Sequence, residues 1–279
     1  MINKKEINID KKDTNQIYKE VKEYREHDGK RIIFITRKEN INKIKILKLL
    51  RFAHNLNYSL IGLDSLGDDF VKAHVFECNN KKYYVDEDIK MIIELTNFFN
   101  ILFDESNDKI NLFKRKIKGI EKINNLQKNR FMQITIPIKD NVIEIESFKT
   151  LIERLEEFEI NKIVFILKSN QRKILREIEK LFELLDFCIN REILALTKNI
   201  PPCLMINYEE HISELYNTPD NKFDTLQICR KCALNDVCKR FNNLNLIEEF
   251  LTPITNKDQK INQIIDFANF KLENLEDDN

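Results

Sequence analysis

Short apolar runs alternate with amphipathic stretches through most of this chain, and that alternation limits the available folds more than any other feature. The apolar runs are residues 31–36 (RIIFIT), 58–63, 101–103, 130–138 (RFMQITIPI), 162–167 (KIVFIL) and 187–196. Between them, residues 41–56, 86–99, 112–126, 147–158 and 171–185 read as helices; Ile44, Leu47 and Leu50 stand at helical spacing, and Ser147 is a candidate N-cap. A strand–helix–strand repeat of this kind calls for a parallel sheet with right-handed crossovers. Residues 6–10 (EINID) add a weak strand, followed by a helix capped by Asp13 or Thr14, with Ile17, Val21 and Tyr24 on one face and Asp28-Gly29 ending it. Residues 71–76 and 81–85 flank Asn79-Asn80 and predict an inserted hairpin. About six strands are fewer than the eight of a closed barrel. The expectation is an α/β fold, a partial (β/α) barrel of mainly parallel strands, carrying a separate cysteine-bearing lobe.

That lobe holds Cys203, Cys229, Cys232 and Cys238, four of the six cysteines. Three form C-x2-C-x5-C, and Cys203 stands upstream behind Pro201-Pro202, which stiffen its approach. Two residues between thiolates let one tight turn aim both sulfurs at one metal; the longer arm folds back a third, and a distant fourth closes the shell. Structural zinc sites usually carry two short ligand pairs, whereas a single remote ligand is more typical of an iron–sulfur cluster. The spacing therefore favours a [4Fe-4S] cluster, with structural zinc and unligated buried thiols as the other readings.

Composition excludes several classes. Lys+Arg and Asp+Glu are equal at 46 each, so net charge gives no reason to expect nucleic acid or an acidic membrane as partner. The opening MINKKEINIDKKD has no apolar signal core, and residues 91–103, broken by Glu94, Asn97 and Asn100, are too short to span a bilayer. A cytoplasmic protein is expected, in which cysteines serve as metal ligands or free thiols rather than disulfides. Basic runs at Lys114, Arg115, Lys116 and Lys118 and at Arg172, Lys173 and Arg176 read as solvated helix faces, and Cys188 as a buried strand residue. His27, His54, His74 and His211 have no partner spacing. No phosphate loop, Ser-His-Asp set or zinc-hydrolase motif is present, and no residue is assigned a catalytic role.

The order of parts resembles the radical S-adenosylmethionine superfamily, specifically peptide maturases with an auxiliary-cluster lobe of the SPASM or twitch type. Residues 31–67 are similar to that family's strand–TGGEP–helix–strand segment, residues 111–141 to its helix–strand–turn unit, and NIPPCLM with the later C-x2-C-x5-C to its auxiliary-cluster end. The defining C-x3-C-x2-C loop is absent, and Thr36-Arg37-Lys38-Glu39-Asn40 stands where TGGEP would lie, with two cationic side chains in place of two glycines. Glu39 survives from that motif, but one Glu after a strand is more often a helix N-terminal carboxylate. The resemblance implies a degenerate member with a barrel over 1–198, an auxiliary cluster region over 199–245 on Cys203, Cys229, Cys232 and Cys238, and a helical tail over 246–279. It implies binding of a peptide or a partner maturase, with S-adenosylmethionine not expected as a cofactor. The rivals are a subunit of a split radical enzyme and a zinc-stabilised interaction domain. Loss of the cluster loop further raises an unpaired strand edge near residues 31–36, which either the N-terminal helix or the hairpin at 71–85 covers or a partner segment extends, with Arg37 and Lys38 meeting its acidic groups.

Overall fold

The computed structural model describes residues 4–38, 40–67, 69–70, 76–78, 81–83, 86–103, 110–126, 130–138, 145–158, 160, 162–167, 174–216, 227–238, 254–255 and 261–266. Its elements run β1 (Lys4–Asn8), α1 (Thr14–Glu26), β2 (Arg31–Ile35), α2 (Lys43–Asn55), β3 (Leu60–Ser65), β4 (Phe76–Cys78), β5 (Lys81–Tyr83), α3 (Glu87–Glu94) and β6 (Phe98–Leu102). Then come α4 (Ile110–Leu126), β7 (Phe131–Ile138), α5 (Ile145–Glu156), β8 (Lys162–Leu167), α6 (Ile174–Ile189), β9 (Leu194–Lys198) and the short α7 (Asn235–Cys238). Seven strands make one sheet in the order β1-β2-β3-β6-β7-β8-β9. The pairs are parallel wherever their register is defined. The expected α/β architecture is present, with the weak N-terminal segment as a full seventh strand. β4 and β5 form a separate antiparallel hairpin, as Asn79-Asn80 predicts, although those two residues lie outside the described ones.

The chain divides into two compact units, residues 3–135 with 153–161, and residues 1–2 and 136–152 with 162–279. In the first, the register sets two kinds of row. Ile7, Phe34, Leu63, Phe99 and Met132 stand side by side across five strands. All five are buried. Phe99 meets Phe70 edge-on at 5.7 Å, and Phe70 in turn borders Gly119 of α4, so this row faces the helix layer. One residue further on, the neighbours are Asn8, Ile35, Asp64, Asn100 and Gln133. Period-two alternation thus separates an apolar helix-side face from a face carrying a polar row, which lies near the carboxyl ends of β1, β2 and β3.

Local chemistry explains most element ends. Asp13 caps α1 and forms a capping box with Gln16, as anticipated. Asp28 takes the left-handed conformation (φ 59°) that stops the helix, and Gly29 follows because a Cβ there would lie 2.5 Å from the Tyr24 ring. Asn42 and Asp86 cap α2 and α3 through their side chains.

Several expectations need correction. α3 ends at Glu94 and β6 begins at Phe98, so Phe98 and Phe99 are strand, not helix. α5 starts at Ile145, which places Ser147 inside its first turn rather than at the cap. α6 continues to Ile189 because Leu181, Leu184, Leu185 and Cys188 bury one continuous helical face; Cys188 is buried as expected, but on a helix. Lys116 is not solvated: it is 1% exposed, its Nζ donates to the Leu102 carbonyl at 2.9 Å, and it lies 5.4 Å from the centre of the Phe103 ring. β2 is no sheet edge, since β1 pairs along its whole length. The edge is β1 itself, where an ion pair between Lys4 and Glu6 (2.8 Å) puts charge along the strand, a common guard against edge pairing. On β9, Thr197 bridges to Ile212. The Thr197 hydroxyl donates to the His211 carbonyl at 3.0 Å, while Nδ1 of His211 sits 2.7 Å from the Ala195 carbonyl.

Candidate metal centre

The four cysteines of the second unit sit on three short, turn-rich pieces. Cys203 is the middle residue of a single 3-10 turn, Pro202–Leu204, whose start is fixed by proline. Cys229 lies in a second such turn, Gln227–Lys231, which closes with the Cys232 amide donating to the Cys229 carbonyl at 3.0 Å. Cys238 is the last residue of α7, its amide bonded to the Leu234 carbonyl at 2.9 Å. All four are half-buried and unbridged.

The sulfurs influence one another. Burial pushes the Cys203 thiol up to about 12, and charge on Cys232 and Cys229 pushes the same way. Cys238 is raised too, first by burial and then by Cys203, Cys232 and Cys229. These two thiols stay protonated at neutral pH. Among the described residues, no three His, Cys, Asp or Glu side chains stand ready-made as a metal shell. The donor set nonetheless fits a thiolate-bound cation: Cys203 and Cys238 each feel Cys229 and Cys232, and a bound cation reverses the sign of that effect and deprotonates its ligands outright. Cys188 stands apart on α6, its thiol likewise pushed up to about 12 by burial, and shares nothing with this group.

A second polar locus lies at the carboxyl ends of β1 to β3, in the first unit. Both guanidinium amines of Arg37 reach the Asp64 carboxylate, at 2.6 and 2.8 Å. Asp10 accepts the Thr36 hydroxyl at 3.0 Å and the Arg37 amide at 2.7 Å. Lys45 donates to the carbonyls of Ile9 (2.6 Å) and Lys12, pinning the turn between β1 and α1. Asn100, next to Asp64 in register, accepts the Thr135 hydroxyl at 2.7 Å and the Gln133 amide at 3.2 Å. Arg37 is therefore engaged within the chain rather than held out for a partner's carboxylate, Lys38 is exposed beside it, and Glu39 lies outside the described residues. Nothing in their spacing marks Asp10, Asp64 and Asn100 as one locus. A polar residue inside the apolar strands LIGLDS and FFNIL was the available signal.

No family model and no curated protein matches this chain. Solved structures do. SuiB of Streptococcus suis bound to S-adenosylmethionine superposes with a TM-score of 0.50 at 15% identity, and SuiB bound to the precursor peptide SuiA with 0.50 at 12%. In each case 76% of this chain covers 46% of the other, so it spans less than half the length of SuiB. The likeness is one of fold: the seven-stranded α/β sheet is radical-SAM-like, as the resemblance in the sequence implied.

The turn after β1, Ile9-Asp10-Lys11-Lys12-Asp13, holds no thiol, and Arg37 just beyond β2 is closed on Asp64.

Proposed function

We propose that this chain is a pseudo-radical-SAM protein that carries one thiolate-ligated cluster, [4Fe-4S], on Cys203, Cys229, Cys232 and Cys238. Its sheet unit binds a peptide, or a partner maturase holding one, in peptide modification. The observation that carries the reading is that Cys203, Cys232 and Cys238 pack on one apolar nucleus, with Cys203 and Cys238 raised first by burial and then by Cys229 and Cys232, on a chain with a radical-SAM-like sheet. A bound cluster would supply positive charge that stabilises all four thiolates and, as an iron–sulfur centre, electron transfer. The chain's own residues hold the cluster, while Asp10, Arg37 and Asp64 fill the end of the sheet where a cofactor would otherwise sit. That SuiB has been crystallised with its precursor peptide supports a peptide as ligand of this fold.

The reading is tested by incubating the anaerobically prepared chain with dithionite and S-adenosylmethionine, alone and mixed with maturases and precursor peptides encoded beside it. Capture of those proteins and peptides is measured on the same samples. Peptide or maturase capture without 5′-deoxyadenosine from the isolated chain is expected. Release of 5′-deoxyadenosine above the level of a variant lacking all four cysteines would refute the non-catalytic assignment. Turnover only in a mixture would turn the chain into a subunit of a split enzyme.

A further inference from the structure

Three of the four cysteines share a small hydrophobic nucleus with a segment further along the chain. Leu234, between Cys232 and Cys238 in sequence, is fully buried against Ile261 and Ile264. Cys203, Cys232 and Cys238 pack on the same nucleus, together with Ile254 and Ile265. Residues 261–266 are helical, and Ile261, Ile264 and Ile265 fall at positions i, i+3 and i+4, one face of that turn. A backbone bond ties the segment independently: the Ala233 amide, next to Cys232, donates to the Ile254 carbonyl at 2.7 Å.

We infer that Ile254 and the helical stretch 261–266 are the lid of the thiol lobe, the apolar wall that keeps water off the sulfurs, and that docking of this lid and retention of the metal are coupled. The inference rests on the cluster reading above. Ligation energy in a small lobe is also folding energy, because the ligands must be held in place for the metal to bind. A metal that binds the docked state better stabilises docking, and linkage makes the docked wall hold the metal more tightly in return. An apolar shell of this kind sets solvent access and the dielectric around a centre.

The test uses the full chain, reconstituted anaerobically with ferrous iron and sulfide and then stripped by chelator, with iron content and hydrogen exchange followed on the same samples. Amides in peptides covering 229–238 and 254–266 should exchange roughly tenfold faster once iron is gone, while β2 and β3 keep their rates. Ile264→Ala, which opens the wall, should lose iron to chelator about 10- to 100-fold faster than wild type, the range seen for residues around a metal's own ligands. Iron bound with equal exchange at 254–266 in loaded and stripped protein would overturn the lid and leave the cluster standing. Protein that takes up no metal would overturn both. Should Ile264→Ala fail to fold, the wild-type exchange comparison alone decides.

Discussion

Arg37 makes two hydrogen bonds to one carboxylate, and its worth depends on how exposed the pair is. The Asp64 side chain is only 12% exposed, while that of Arg37 is 39% exposed and partly screened by water. Removing the guanidinium leaves Asp64 unpaired, so we expect Arg37→Ala to cost about 1–3 kcal/mol in a urea titration. Arg37→Ala combined with Asp64→Asn should cost less than the sum of the single changes, as a cycle on a real pair requires. Tyr58 gives a pH-dependent counterpart. Its hydroxyl, buried on a ring that is 7% exposed, donates to the Val21 carbonyl at 2.6 Å. Burial first, and Tyr24 second, push its ionisation from the usual 10 up to about 12, against a smaller pull from Arg25. A folded-state value above the unfolded one means the contribution is complete below pH 10 and is lost as pH rises toward 12. Tyr58→Phe should therefore cost about 1 kcal/mol at pH 8 and flatten the decline in stability between pH 10 and 12.

Elements were legible in the sequence where their period was unbroken. RIIFI and KIVFI stand as strands because short apolar runs bounded by charge have no helical reading. Asp13 gave away the start of α1 because a capping carboxylate acts locally. Ends set by tertiary contact were not legible. Cys188 looked like strand because apolar residues run on from α6 toward β9, and the turn that separates them uses a left-handed Glu192 (φ 58°) that no residue preference announces. Lys116 looked solvated because its carbonyl partner lies fourteen positions back, at Leu102. Close helix–loop approach is equally invisible in a sequence. A Cβ on Gly119 of α4 would lie 2.4 Å from the backbone oxygen of Gly67, itself at φ +82°. Since that neighbour is backbone rather than a yielding side chain, Gly119→Ala should destabilise the chain by about 1–3 kcal/mol despite alanine's better helix propensity. A thermal melt of that single variant is sufficient to check it.

At the scale of the whole molecule, one chain carries a radical-SAM-like sheet and, further on, Cys203, Cys229, Cys232 and Cys238. The sheet was legible from alternation alone. The apolar nucleus that Cys203, Cys232 and Cys238 share with Ile261 and Ile264 was not, because it depends on how distant segments pack. The chemistry of the centre rests on the metal. The most direct measurement is iron, acid-labile sulfide and zinc per chain in anaerobically purified protein, beside four single variants, Cys203→Ser, Cys229→Ser, Cys232→Ser and Cys238→Ser. We expect brown protein with about four irons and four sulfides per chain, and reduced occupancy in every variant. Colourless protein with one zinc per chain, or iron content indifferent to all four changes, would contradict the cluster.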